Sequence, residues 1–249
     1  MGSVQYFPRS GGIATIADVW RAGPVPGSGA IKVRETRLED FAALRALQRV
    51  AAPFMPAWTL RQLESQRHAF AEGQMVAVCE GQVVGVSSSL IVRWDDYNAQ
   101  PSWRAVTGDG NFVTHDSGAR TLYGADLVVD SSRRGFGVGR ALFQARRRLC
   151  RKLNLKRVIA TARLPGYRAM CDTMTPEQYA MRIVWGDVAD PSMRFLMAQR
   201  FQYCGILHDY LPEDTDSCGH AALLAWLNPL YAPPGPTATA EAERQRRCA

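Results

Sequence analysis

The sequence lacks several kinds of segment that would define a class of protein. None of its 249 residues belongs to an apolar run of 18 or more, so no membrane-spanning helix is expected. The N-terminal residues contain no basic segment followed by an apolar core, which argues against a secretory signal. Its six cysteines are irregularly spaced and form no C-x-x-C pair, so neither a zinc site nor a disulfide framework is predicted. We expect a cytoplasmic protein with reduced thiols and no bound metal.

The segment from Leu127 to Leu153 contains a distinctive succession of elements. An apolar run ending at Asp130 suits a buried strand. The glycine-rich, basic turn RRGFGVGR follows at 133–140. Beyond it, apolar residues recur at spacings of three and four, which predicts one face of a helix. These residues are Val138, Leu142, Ala145, Leu149 and Leu153.

A glycine-rich turn at the start of a helix favours an anionic ligand. The first N–H groups of a helix have no acceptor within it, and the helix dipole adds partial positive charge, so a phosphate group binds well there. The dinucleotide-binding fingerprint needs a third glycine where this sequence has Arg140. The Gly-Lys-Ser/Thr ending of the nucleotide-binding P-loop is also absent. The turn therefore predicts a phosphate-bearing ligand of another kind.

The turn resembles the acyl-CoA signature of the GNAT superfamily of N-acetyltransferases, Arg/Gln-x-x-Gly-x-Gly/Ala. Arg134, Gly137 and Gly139 occupy its three defined positions, and Val129 stands where the family has its last strand valine. From about residue 33 to residue 229 the chain is similar to the acetyltransferase module found joined to carbon–nitrogen hydrolase (nitrilase-type) domains. The segments that carry this similarity are LIVRWDDY (90–97), FVTHD (112–116), TLYGADLVVD (121–130), RLPGY (163–167) and WLNP (226–229).

This resemblance implies an α+β / α/β architecture with the GNAT fold. A mixed central β-sheet would be flanked by helices, and its parallel strands at about 122–130 and 157–161 would splay apart. We expect an N-terminal arm or linker at 1–30, the acetyltransferase domain at 31–229 and a mobile C-terminal tail at 230–249. Residue patterns predict further strands at 31–34, 75–79, 82–92, 202–207 and 221–227, and helices at 60–70, 177–185 and 192–201.

The resemblance also implies acetyl-CoA as a co-substrate and indicates where it binds. Its pantetheine arm would lie between the splayed strands and pair with the backbone of Leu127, Val128 and Val129, at the carboxyl ends where ligands enter open α/β sheets. Its diphosphate would accept hydrogen bonds from the turn, where glycines let the backbone approach and adopt unusual φ/ψ values. The cofactor-binding residues of the turn would be Arg134, Gly135, Phe136, Gly137, Val138, Gly139 and Arg140.

Asp126 and Tyr167 are the candidate catalytic residues. An amine with a pKa of about 10.4 must lose a proton before it attacks a thioester at neutral pH. Asp126 lies one residue from the strand position that would pair with pantetheine, so it could accept that proton. A buried, hydrogen-bonded structural carboxylate is the competing interpretation. The long polar and aromatic connection at 94–116 offers further candidates for the base, which are Asp95, Asp96 and His115.

The acid for the leaving thiolate is harder to assign. Many members of the family carry a tyrosine five residues before the phenylalanine that corresponds to Phe201, and this chain has Leu196 there. Tyr167 is our candidate replacement, and Tyr179 and Tyr203 are alternatives, although packing would explain all three. A thiol with a pKa of about 8.5 is also a tolerable leaving group without an acid.

The functional prediction is an acetyl-CoA-dependent N-acetyltransferase that acts by direct attack on a primary amine of a small molecule or protein. A non-catalytic acyl-CoA-binding or partner-docking module, acting with a nitrilase-type hydrolase, is the alternative. The net charge of +7 also fits weak nucleic-acid binding, but we interpret the basic run at 146–157 mainly as a solvated helix face. We expect no membrane or nucleic-acid partner. The sequence is compatible with a homodimer.

Overall fold

A computed structural model describes residues 29–97 and 100–233, so most of the predicted arm and tail lies outside the described residues. Within them, the strands are β1 (Lys32–Glu35), β2 (Met75–Cys79), β3 (Gln82–Val92), β4 (Thr121–Val129), β5 (Arg157–Arg163), β6 (Gln202–Leu207) and β7 (Ala221–Leu227). The α-helices are α1 (Phe41–Ala51), α2 (Leu60–Phe70), α3 (Trp103–Thr107), α4 (Val138–Lys152), α5 (Pro176–Trp185) and α6 (Pro191–Ala198). In this part of the chain, no helix combines the length and apolar character that a membrane crossing requires.

The strands form one mixed sheet in the order β1-β2-β3-β4-β5-β7-β6. The parallel pair of β4 and β5 stays together for only four residue pairs and separates after Gly124, which lies opposite Ala160. Both strands continue beyond that point, because β4 remains paired with β3 to Val129 and β5 remains paired with β7 to Arg163. A gap therefore opens between β4 and β5 toward their carboxyl ends, which confirms the predicted splay.

Helices cover both faces of the sheet, and alternate residues of β4 face different layers. Leu122 packs in the layer that contains α4, α5 and α6. Tyr123 packs on the opposite face with residues of the 94–116 connection, and Val128 packs there against α1 and α2. The predicted apolar stripe of α4 is buried against the sheet, because its spacing keeps those side chains on one side of the helix.

Local sequence signals explain why several elements have the bounds that the sequence predicts. Helix α2 spans the predicted residues, and the Thr59 hydroxyl caps it by accepting a hydrogen bond from the backbone N–H of Gln62 at 3.2 Å. Strands β2 and β3 are joined by Glu80 and Gly81, whose φ angles of 52° and 80° suit a tight hairpin turn. β6 and β7 also have their predicted bounds.

Other bounds differ from the prediction for identifiable reasons. The helix predicted at 192–201 ends at Ala198, because the chain turns at Arg200, where φ is 64°. β5 continues two residues past the predicted Thr161, since β7 pairs with it as far as Arg163. The 94–116 connection contains α3, whose five residues are too few to show a helical period in the sequence.

Candidate functional site

A cavity of about 210 Å³ occupies the gap between β4 and β5. It is lined by residues from both faces of the sheet and from the separated halves of both strands. The register of β4 against β3 shifts at Ala125, which forms a β-bulge at the start of the gap. The indole N–H of Trp103 donates to the carbonyl oxygen of Ala125 at 3.2 Å and so holds this irregular backbone in place.

The glycine-rich turn follows the carboxyl end of β4, at the open end of the gap, and is exposed from Arg134 to Gly137. Gly135 and Gly137 have φ angles of 84° and 85°, which residues with a Cβ rarely adopt. Gly139 is constrained by packing, because a Cβ there would lie 2.9 Å from Cζ of Phe195 in α6. Backbone conformation and helix packing therefore both require glycine in this turn.

The backbone N–H groups at the start of α4 are available to a ligand. The first hydrogen bond within the helix runs from the N–H of Ala141 to the carbonyl of Gly137. Arg134 and Phe136 make only long turn hydrogen bonds of 3.4 Å. The N–H groups without an acceptor in the described part of the chain belong to Gly135, Gly137, Val138, Gly139 and Arg140. Such a set of donors at a helix N-terminus can hold a phosphate or diphosphate group.

Asp126 lines the cavity just beyond the bulge, and its side chain is only 7% exposed. The hydroxyl of Ser88 donates to its Oδ2 at 2.7 Å, whereas Oδ1 is buried without a hydrogen-bond partner among the described residues. Burial raises the pKa of Asp126 to about 6, although the Ser88 hydrogen bond and the charge of Arg146 oppose that shift. A carboxyl group with this pKa can act as a base at neutral pH.

Arg146 of α4 is 2% exposed, so the predicted solvated helix face is wrong at this position. Its Nε donates to Ser89 Oγ at 2.9 Å, and its Nη2 donates to Ser87 Oγ at 2.6 Å. Nη2 also contacts the carbonyl oxygens of Ser88 and Asp126, at 3.1 and 2.9 Å. Arg146 also lines the cavity. The serine run of β3 thus holds an arginine inside the fold.

Tyr210, in the loop after β6, brings a phenol group to the same cavity. Its hydroxyl accepts a hydrogen bond from Thr161 Oγ1 at 3.1 Å and shares a short hydrogen bond with the hydroxyl of Tyr123. Burial raises the pKa of Tyr210, so the phenol keeps its proton at neutral pH. The site therefore contains a hydroxyl donor, although Leu196 occupies the wall position where many family members have tyrosine.

The structure does not bring Tyr167 together with Asp126. The buried Tyr167 hydroxyl donates to the carbonyl oxygen of Met174 at 3.1 Å, and its ring packs 5.5 Å from that of Tyr179. Tyr167 is not among the residues that line the cavity. The prediction of Tyr167 as an acid is corrected for this reason, because the segment after β5 packs the ring away from the gap.

The other candidates for the base also lie outside the cavity lining. Asp95 is exposed and pairs with Arg157, whose Nη2 lies 2.7 Å from Asp95 Oδ1. Asp96 is exposed as well. His115 accepts a hydrogen bond on Nδ1 from the backbone N–H of Ile91, and burial lowers its pKa. Of the carboxylates considered as a base in the sequence analysis, Asp126 is the one that reaches the cavity.

The strand residues predicted to bind pantetheine lie along the edge of β4 that faces the gap. Leu127 lines the cavity, whereas Val128 packs against α1 and α2, and Val129 lies near the open end. Beyond Gly124 this edge has no strand partner, so part of its backbone is available for pairing with a ligand. Pairing of Leu127 and Val129 with a pantetheine arm stays a prediction.

The structure thus combines a splayed parallel strand pair, a β-bulge in one of these strands and a helix N-terminus with free donors. In fold, the described residues are similar to the solved structure of the GphF GNAT-like decarboxylase in complex with isobutyryl-CoA, with a TM-score of 0.65 and 20% identity. The match covers 79% of this chain and 99% of that one. The fold is therefore that of the GNAT proteins.

Sequence comparison defines the family. Residues 38–171 match the Acetyltransferase (GNAT) family, and the chain belongs to this acyl-CoA-dependent family. The chain is 32% identical to the probable hydrolase YhcX of Bacillus subtilis over 201 residues, which is 81% of this chain but 39% of that protein. It is 27% identical to the uncharacterized N-acetyltransferase YkwB of Bacillus subtilis over 174 residues, or 70% of this chain and 76% of YkwB. The chain thus spans about two fifths of the length of YhcX.

Proposed function

We propose that the chain is an acyl-CoA-dependent N-acyltransferase, which transfers an acyl group, acetyl in the simplest case, to a primary amine. The observation that carries the proposal is a buried carboxyl group in the strand gap, with a pKa of about 6, whose strand leads directly into an exposed turn of free N–H donors. One element would bind the phosphates of the co-substrate, and the other would deprotonate the acceptor.

In this proposal, coenzyme A lies along the gap from the turn inward. Its diphosphate accepts hydrogen bonds from the free N–H groups between Gly135 and Arg140, and the exposed side chains of Arg134 and Arg140 add positive charge. The pantetheine arm pairs with the unpartnered edge of β4 near Leu127. The thioester then lies close to the bulge, where Asp126 lines the cavity.

Asp126 would act as the general base. At pH 7 a carboxyl group with a pKa of about 6 is mostly ionised, so it can take a proton from the acceptor amine, directly or through a water molecule. The amine nitrogen then forms a bond to the thioester carbon, and the carbon–sulfur bond breaks. Backbone N–H groups of the unpartnered strand edge would stabilise the negative charge that develops on the carbonyl oxygen.

Tyr210 would assist the departure of the thiolate. Its raised pKa keeps the hydroxyl protonated, so it can donate a hydrogen bond to the sulfur as negative charge develops there. Full proton transfer is not required, because a thiol with a pKa of about 8.5 leaves readily as the thiolate. Tyr123 and Thr161 hold the phenol in position.

The experiment combines calorimetric titration with coenzyme A and a free-thiol assay with acetyl-CoA and a panel of primary amines. We expect the protein to bind coenzyme A and to release thiol with at least one amine. Asp126→Asn should keep the binding and lose most of the release, whereas Asp187→Asn, which changes an exposed carboxylate, should keep both. Failure to bind coenzyme A, or absence of thiol release with every amine of the panel, would contradict the proposal.

A non-catalytic module that binds acyl-CoA and docks on a nitrilase-type hydrolase is the second candidate. The observation that favours it is Leu196 in the cavity wall, together with the match to two fifths of a probable hydrolase. This candidate predicts binding of coenzyme A without thiol release for any amine. It also predicts that Asp126→Asn and Tyr210→Phe leave every measured property except stability unchanged.

A further inference from the structure

Arg146 is a buried cation that forms no direct ion pair, although the charge of the buried Asp126 is close enough to act on it. Its hydrogen-bond acceptors are serine hydroxyls and backbone carbonyls, which carry no net charge. No carboxylate of the described residues lies within 4.0 Å of its guanidinium group. Burial of an arginine is costly unless the charge is paired, and fully buried arginines are rare for that reason.

One end of this guanidinium group is free. Nε and Nη2 are hydrogen-bonded, but Nη1 donates to no acceptor in the described part of the chain. Burial lowers the pKa of Arg146 to about 10, so the group still carries its charge at pH 7. The serines fix its orientation, and Nη1 keeps two unused N–H donors beside Gly124, which, like Arg146, lines the cavity.

The free nitrogen lies at the closed end of the strand gap. A Cβ on Gly124 would lie 2.5 Å from Nη1, so the guanidinium group covers the residue at which β4 and β5 separate. A side chain at residue 124 would therefore force the guanidinium group to shift. The glycine-rich turn lies at the opposite, open end of the gap, beyond the carboxyl end of β4.

These two ends define the direction of an acyl-CoA molecule in the gap. With its diphosphate on the turn, its pantetheine arm must enter from the open end, so its acyl group points toward Gly124. We propose that Arg146 binds a carboxylate at the far end of the acyl group, and that the preferred acyl donors are monothioesters of dicarboxylic acids, such as malonyl-CoA or succinyl-CoA. This inference rests on the proposed function, because it requires coenzyme A to bind in that orientation.

A carboxylate suits this position better than a neutral acyl chain. It would accept hydrogen bonds from the unused donors of Nη1, and hydrogen bonds between charged groups are about twice as strong as neutral ones. An acetyl group would leave the Nη1 donors unpaired. The alternative is that Nη1 stabilises the oxyanion formed during the reaction. In that case thioesters with different acyl groups would bind with the same affinity.

The test compares two thioesters of nearly the same shape by calorimetric titration of the wild-type protein. Malonyl-CoA carries a terminal carboxylate, and acetoacetyl-CoA carries a methyl ketone at the same place. We expect malonyl-CoA to bind at least about tenfold more tightly, which corresponds to about 1.4 kcal/mol. Mass spectrometry of the recovered ligand confirms that it stays intact. Equal binding of the two thioesters, or tighter binding of acetoacetyl-CoA, would overturn the inference.

Two variants of α4 then assign the preference to a residue. Arg146→Met should reduce the ratio of the two dissociation constants to about one, and Arg146→Lys should retain part of it. Arg140→Met, which changes an exposed arginine of the same helix, should weaken both thioesters equally. Because the wild-type comparison needs no variant, misfolding of Arg146→Met leaves the test intact.

Coenzyme A itself separates this inference from the proposed function. Binding of coenzyme A and acetoacetyl-CoA without a preference for malonyl-CoA refutes the carboxylate site and leaves the proposed function standing. Absence of binding by every one of these ligands refutes both. Equal binding of both thioesters by the wild type, together with slower turnover of Arg146→Met, would assign Arg146 to the oxyanion instead and overturn the inference.

Discussion

Asp126→Asn should change how the stability of the fold depends on pH. The folded state raises the pKa of this buried carboxyl group from 3.8 to about 6. Folding thus favours the protonated form of Asp126. The contribution of this form to the stability of the fold is fully present below pH 3.8 and is lost as the pH rises through 6. Asparagine does not ionise in this range, so the variant should gain stability relative to the wild type as the pH increases.

The magnitude follows from proton linkage with those two pKa values. Compared with a side chain that stays neutral, ionisation of Asp126 lowers the free energy of unfolding of the wild type by about 0.6 kcal/mol at pH 4 and by about 2.9 kcal/mol at pH 7. The free energy of unfolding of Asp126→Asn minus that of the wild type should therefore rise by about 2 kcal/mol between these pH values. Packing changes caused by asparagine add a constant and do not affect this rise.

Urea unfolding from pH 4 to pH 7, followed by circular dichroism, measures the difference at constant ionic strength. Other titrating groups occur in both proteins and largely cancel. Asp187→Asn is the matched control, and as a surface substitution it should differ from the wild type by less than about 0.5 kcal/mol. A difference between Asp126→Asn and the wild type that stays flat across this range would refute the raised pKa and, with it, the assignment of Asp126 as a base.

Further variants test the remaining parts of the site. Tyr210→Phe should lower kcat about tenfold and leave the Kd of coenzyme A unchanged within about twofold, because its hydroxyl acts at the sulfur; an unchanged kcat in the thiol assay would exclude this role. Gly137→Ala should destabilise the fold by about 1–2 kcal/mol and weaken coenzyme A binding, since its φ is 85°. Gly81→Ala, with φ of 80° in a hairpin, should destabilise similarly and bind normally, and a binding defect there would contradict the account.

Local patterns were sufficient to predict much of the fold. The stripe of α4, the Thr59 cap of α2 and the hairpin at Glu80 and Gly81 all depend on residues that are close in the chain. Periodicity and turn chemistry act over such short distances, so the sequence expresses them directly. The splay of β4 and β5 was expected from the resemblance to the GNAT superfamily.

The cavity residues that sequence analysis left out depend on contacts between distant segments. Tyr210 lies in a loop and reaches the site through Thr161 and Tyr123, which are 49 and 87 positions away. Arg146 left a local signal, because it stands four residues after Leu142 and three before Leu149, within the buried stripe. An arginine in such a stripe, together with the serine run 87–89 in a strand, predicts a buried polar network.

Tyr167 was predicted at the site from its position in the sequence, but its side chain points elsewhere. Its place just after β5 made it a candidate acid, but the direction of its side chain is set by packing against Tyr179 and by the Met174 carbonyl. Neither contact can be inferred from the order of residues, because several rotations of the chain after Arg163 would be equally compatible with it. A position near a site in sequence does not determine which way a side chain points.

The central claim is that the free backbone N–H groups between Gly135 and Arg140 hold the diphosphate of coenzyme A. The most direct measurement is a two-dimensional NMR titration of isotope-labelled protein, which observes each amide separately. The account predicts that coenzyme A shifts the amide resonances of Gly135, Gly137, Val138, Gly139 and Arg140, and that pantetheine, which lacks the diphosphate, leaves them nearly in place. Unmoved resonances at these residues in the presence of saturating coenzyme A would contradict it.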